Sequence, residues 1–146
     1  MLKLYEVYFQ NNKHWINKSI PIRSDGRFFK TFYHFNFFRW LYDILYHREG
    51  YVIPEFPTGN GKIDLILKYA GKKYALELIS FRNSSEIKKA IERSAQYGKQ
   101  LKLTEVYLIY FYDFVLPKER LEKYETQVLD AITGVLVKPV FLYLDR

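Results

Sequence analysis

Residues 59–79 read GNGKIDLILKYAGKKYALELI. Within this stretch Lys62–Tyr69 and Lys73–Ile79 alternate side-chain character with a period of two, and Ala70-Gly71-Lys72 separates them. That pattern predicts two antiparallel strands joined by a tight turn. Upstream, Tyr51-Val52-Ile53 leads into Pro54-Glu55-Phe56, and Pro57-Thr58-Gly59-Asn60-Gly61 supplies another turn. The whole predicts a three-strand antiparallel meander.

Before the meander, Phe28 to Tyr46 is dense in aromatics. Phe37, Trp40, Leu41, Ile44 and Leu45 recur at the spacing of one helix face, which predicts a buried helix ending near residue 48, at a glycine stop. After the meander, Asn83-Ser84-Ser85-Glu86 reads as a helix start with Ser84 or Ser85 as N-cap. Ile87, Ala90, Ile91, Ser94 and Ala95 form a small apolar stripe running to about Leu101. Glu105–Tyr112 is then a strand that returns parallel to the third through a right-handed crossover. Residues 117–124 are charged and read as helix or loop. Residues 127–144 hold strand-like segments and read as a terminal appendage. The class is α/β with a mixed sheet, in one domain spanning residues 1–146.

Composition narrows the function. The chain has no cysteine, which excludes disulfide scaffolds, thiolate zinc sites and cysteine nucleophiles. There is no run of 18 apolar residues and no signal-peptide core at Met1–Gln10, so no membrane partner and a cytoplasmic location are expected. The net charge is +7. It divides as +4 over residues 1–50, +5 over 51–103 and −2 over 104–146. A basic body of this kind fits a polyanion such as nucleic acid. Aromatics are abundant, with 14 Tyr, 12 Phe and 2 Trp. Helical spacing assigns most of the aromatic belt to core packing rather than base stacking. His14, His34 and His47 share no ligand spacing with one another, so neither a zinc site nor a Ser-His-Asp triad is supported.

Two carboxylates stand out. Asp64 and Glu77 lie in the middle of otherwise apolar strands, where a charge is costly unless paired, solvated or bound to metal. Pairing through the short turn lets them face each other, and Glu55 can join them. Such a cluster suits Mg²⁺ or Mn²⁺. The plainer reading places each on the solvent face of an amphipathic sheet.

These motifs resemble the core of the PD-(D/E)XK nuclease superfamily, and within it the nuclease-like domain at the C-terminus of certain prokaryotic AAA-type ATPases. Gly59-Asn60-Gly61-Lys62-Ile63-Asp64-Leu65 is similar to that family's G-x-G-R-x-D-L strand, and Tyr74-Ala75-Leu76-Glu77-Leu78 to its E-L-K strand end. Phe9 to Trp15 echoes an F-x-x-N-x-x-W segment. The similarity runs from about residue 5 to 112. It implies a restriction-endonuclease-like fold and metal-dependent hydrolysis of DNA. In it Asp64 and Glu77 hold the ion, Glu55 assists, and the Leu78 main-chain carbonyl is a further ligand. Arg82 matches an arginine after the third strand and Tyr97 a helix tyrosine. The resemblance also brings a homodimer and an ATPase partner into consideration, although no phosphate-binding loop occurs in these residues.

Two positions depart from the pattern. Ile79 stands where the superfamily has its lysine, and Arg93 where it has a helix glutamine. The lysine orients the attacking water and offsets transition-state charge, and removing one such interaction costs about 10²–10³ in rate. Arg93 is the first candidate for a migrated cation and a catalytic role, Arg82 the second. Lys62, about 6–7 Å from Asp64 along the strand, is the third, while Lys73 is about 13 Å from Glu77 and too distant. Lys62, Arg82, Lys88, Lys89 and Arg93 are the expected phosphate contacts. The second reading is a catalytically inactive nuclease-fold module that binds nucleic acid or protein.

Overall fold

The computed structural model describes residues 1–19, 30–57 and 61–144, without the side chains at 15, 17, 19, 30–33 and 55–57. Two helices, α1 (Leu4–Ser19) and α2 (Lys30–Tyr46), precede the meander β1 (Tyr51–Pro57), β2 (Lys62–Tyr69) and β3 (Lys72–Ser80). A 3₁₀ turn at Ser84–Glu86 leads into α3 (Ile87–Gln100), followed by β4 (Glu105–Tyr112), α4 (Lys118–Tyr124), β5 (Val128–Leu129) and β6 (Leu136–Tyr143). The six strands form one sheet in the order β1-β2-β3-β4-β6-β5. β1, β2 and β3 pair antiparallel, and β3–β4 and β4–β6 pair parallel. This is a mixed α/β fold with helices on both faces of the sheet. The expected meander, crossover helix and parallel fourth strand are all present.

Three features differ from the sequence reading. α1 was not anticipated, because its apolar residues are interleaved with polar ones. Tyr5, Phe9 and Ile16 are nonetheless buried, and Tyr5 donates from its hydroxyl to Asn36 Oδ1 at 2.6 Å. The segment expected to be an appendage supplies β6, which pairs with β4 along its full length. Its partner lies far away in sequence, so local pattern could not place it. Neither serine caps α3: Asn83 caps the preceding 3₁₀ turn, its side chain accepting the Ser85 N–H at 3.0 Å, and Glu86 at the N-cap of α3 makes no side-chain cap bond.

Each face of the sheet has its own cover. α1 and α2 bury Tyr5, Phe9, Phe37, Trp40, Leu41 and Leu45 against Leu65, Leu67, Leu76, Leu78, Ile109 and Phe111. The rings meet edge-on, Tyr5 and Phe37 with centroids 5.0 Å apart, an arrangement their quadrupoles favour. On the other face α3 lays Ala90 and Ala95 over Ile66, Ala75, Val106, Leu108 and Tyr110. Small residues let α3 sit close. A Cβ on Gly98 would stand 2.6 Å from Val106 Cγ2 and 3.0 Å from Val135 Cγ1.

The outer edge of β6 is protected beyond the short β5. Glu125 accepts the Phe141 N–H and Glu6 accepts the Tyr143 N–H, each at 3.2 Å, while Lys3 donates to the Phe141 carbonyl. Pro139, two residues before Phe141, has no N–H to offer that edge. Charged side chains thus satisfy a strand edge that would otherwise invite pairing. No helix among the described residues is long and apolar enough to cross a membrane.

Two measurements follow. Gly98→Ala gains about 1 kcal/mol of helix propensity but forces methyl groups together, at about 1–3 kcal/mol. We expect a net loss of stability in urea denaturation. Burial first, then Glu6, Glu125 and Tyr143, push Tyr112 from 10.0 up to about 12. The unfolded chain then ionises before the folded one, so this contribution is intact below pH 10 and disappears as pH rises toward 12. The fall in stability over that window should be smaller in Tyr112→Phe.

Candidate functional site

The antiparallel ladder between β2 and β3 runs from Tyr69↔Lys72 to Leu65↔Leu76. One step further along the same register stand Asp64 and Glu77. There the ladder gives way to a side chain: Asp64 Oδ2 accepts the Leu78 N–H at 2.8 Å. The carboxylate takes the role that a backbone carbonyl of β2 would have had, which keeps a buried amide satisfied while the strands part. Within an extended residue the N–H and C=O project to the same side, so the Leu78 carbonyl is also directed toward β2 and Asp64.

Glu77 is 4% exposed, between Leu76 and Leu78 on β3. Those two leucines pack in the α1–α2 layer, whereas Ala75 and Ile79 pack in the α3 layer. The expected alternation of β3 therefore holds, with Glu77 on the α3 side. β2 is less regular. Ile63 packs with Ile66 in the α3 layer, while Leu65 and Leu67 pack with α2. The strand turns over around Asp64.

On β1, Pro54 pairs with Leu65 and Phe56 with Ile63, which sets backbone position 55 opposite Asp64. Positions 55, 64 and 77 thus form one row across three neighbouring strands. The Glu55 side chain lies outside the described residues. Among the described residues, no group of three or more His, Asp or Glu side chains comes together as a metal cage. The described donors are the Asp64 and Glu77 carboxylates and the Leu78 carbonyl, all hard oxygens, a set that fits Mg²⁺ or Mn²⁺ rather than a soft metal.

One residue at the site was missed in the sequence. His34 Nδ1, from α2, lies 3.7 Å from Asp64 Oδ1, with side chains 25% and 16% exposed. The spacing of the histidines from one another gave no hint of it. The usable signal is helical phase: His34 stands at i−3, i−7 and i−11 from Phe37, Leu41 and Leu45, on the face α2 turns to the sheet.

The predicted cations separate along α3. A Cβ on Gly61, just before β2, would stand 3.0 Å from the Tyr97 hydroxyl. Tyr97 therefore closes over the start of β2, and Gly61 is small because of it. Arg93 and Lys89 stand one and two turns before Tyr97, on the same flank of α3. Arg93 acts on Tyr110, the β4 residue paired with Ile79. Burial raises the Tyr110 phenol, the Arg93 charge pulls it back down, and Glu86 raises it again. The Arg93 charge is thus felt at Tyr110, whose neighbour on β3 is Ile79. Lys88 is on the opposite flank, where with Ile87, Glu92, Lys123 and Leu129 it lines a separate groove toward α4 and β5. Lys62 and Arg82 are exposed at the start of β2 and just beyond β3, the end of the sheet that holds Asp64 and Glu77. Open α/β sheets place their ligands at this carboxyl end of the parallel strands.

No family model matches the chain, and no curated protein matches it. Among solved structures it is similar to that of Pyrococcus furiosus SfsA in complex with Ca²⁺. The identity is 13% over 79% of this chain, with a TM-score of 0.43. The match spans 59% of the length of that protein.

The Asp64–Leu78 hydrogen bond is directly testable. Asp64→Ala leaves a buried N–H without its acceptor and should cost about 1–3 kcal/mol. Asp64→Asn keeps an acceptor oxygen and should cost less. Urea denaturation of the two variants measures the difference.

Proposed function

We propose that this chain is a metal-dependent DNA nuclease with an atypical site that lacks the superfamily lysine. The observation that carries the reading is the Asp64 carboxylate held on the Leu78 N–H, one register step from buried Glu77. A carboxylate inserted between two buried strands is a poor structural choice and a good ligand arrangement.

Asp64, Glu77 and the Leu78 carbonyl would hold Mg²⁺ or Mn²⁺, with Glu55 as a further carboxylate. When bound, such an ion lowers the pKa of a water and offsets charge on the phosphoryl oxygens. The remaining work falls to the chain. The Leu78 N–H fixes the orientation of Asp64. His34 stands on the far side of that carboxylate and restricts its movement. Arg93, whose charge is felt at Tyr110, supplies positive charge toward a phosphate in place of the lysine. Lys62, Arg82 and Lys89 contact the backbone of the nucleic acid, contributing affinity without sequence information. Lys88 faces another groove and is given no part.

One observation favours the inactive module as a second reading. Ile79 is half-buried and packs with the α3 layer, so the lysine position has been absorbed into the core.

The test is cleavage of supercoiled, linear and single-stranded DNA with Mg²⁺ or Mn²⁺. Glu77→Gln should lower the rate by about two orders of magnitude or more, and chelation should abolish it. Ile79→Lys should raise it. Equal cleavage by wild type and Glu77→Gln, or none by either, supports the inactive module.

A further inference from the structure

The outer face of α2 is aromatic and uncovered. Phe35 is 66% exposed, Tyr42 44% and Tyr46 69%. These positions fall on one side of the helix, opposite the buried Phe37, Leu41 and Leu45. The rings form a chain: Phe38 and Tyr42 have centroids 6.2 Å apart, Tyr42 and Tyr46 6.1 Å, and Tyr46 and His47 5.5 Å. Phe38 packs against the core, but core packing does not account for the exposed Phe35, Tyr42 and Tyr46.

The chain of rings ends where α2 abuts the end of β2. A Cβ on Gly50 would stand 2.9 Å from the Lys68 carbonyl, 3.0 Å from Leu45 Cδ2 and 3.3 Å from Tyr69 Cδ2. There a hollow of about 430 Å³ is lined by Glu49, Tyr51, Lys68, Tyr69, Lys72 and Lys73. Lys68 Nζ sits 5.6 Å above the Tyr51 ring. Three lysines, two tyrosines and a single acid converge on this hollow.

We propose that this face is a track for single-stranded nucleic acid, with phosphates gripped at the Lys68–Lys72–Lys73 hollow and bases stacked along Tyr46, Tyr42 and Phe35. Sequence-tolerant strand binders combine these two elements, cations along the backbone and rings against the bases. A duplex keeps its bases stacked on one another and cannot use the rings. A second copy of the chain is a weaker occupant, because each copy carries +7 and would bring like charge to the interface, whereas a polyanion is attracted. The substrate form named here rests on the nuclease reading, but the binding itself does not require cleavage.

The experiment uses a fluorescent oligothymidine and its duplex with oligoadenine, with the full chain in chelator, read by anisotropy across a salt series. Tyr42→Ala/Tyr46→Ala should weaken single-strand binding on the order of tenfold or more. Lys68→Gln/Lys72→Gln should weaken it and flatten its dependence on salt, by about 0.7 in slope for each phosphate that is no longer neutralised. Circular dichroism checks that both variants fold. The track is overturned if the tyrosine variant binds like wild type, or if duplex binding falls by the same factor. It is equally overturned if the variant instead turns a self-associated wild type monomeric in sedimentation, which would assign the face to a second copy. Strand binding without any cleavage would overturn the nuclease reading and leave the track standing.

Discussion

The parallel strands β3, β4 and β6 carry apolar side chains on both faces, and a sheet of that kind must be covered twice. Most of the architecture answers that demand. The aromatic layer of α1 and α2 closes one face and the small-residue face of α3 closes the other. The two covers are built differently for a physical reason. Large rings fill the space under two crossing helices, whereas a single helix gains most by approaching closely, as Gly98 does against Val106. The same demand leaves the sheet edges as weak points, and carboxylates from α1 and from beyond α4 close the β6 edge.

A doubly covered sheet is a hostile place for charge, which makes the parting of β2 from β3 informative. Asp64 substitutes for a main-chain acceptor there, so the break leaves the Leu78 amide satisfied. The break lies at the carboxyl end of the parallel strands, with Glu77 at the register position opposite Asp64. Asp64 therefore secures the strand pair at the point where the ladder ends.

The surface is organised by which flank of each helix faces the break. On α3, Tyr97 closes over the start of β2, with Arg93 and Lys89 one and two turns before it on the same flank, while Lys88 and Glu92 line the groove toward α4. On α2, His34 looks inward to Asp64 while Phe35, one residue later, looks outward. Adjacent residues in sequence therefore serve different surfaces, because each residue advances about 100° around a helix.

Short-range periodicity carried much of this protein. Alternation over residues 62–79 and the glycine turns determined the meander, helical spacing determined α2 and α3, and two carboxylates among leucines marked Asp64 and Glu77 as costly. Those signals are legible because they depend on neighbours a few residues apart. The tertiary structure alone decided the rest. It recruited β6 as an internal strand, buried α1 through Tyr5 and Phe9, replaced a ladder bond with Asp64, brought His34 to that carboxylate across thirty residues of chain, and sorted Arg93 from Lys88. Each of these depends on which distant surfaces bury the most apolar area together, a free energy of the packed whole that no local pattern records.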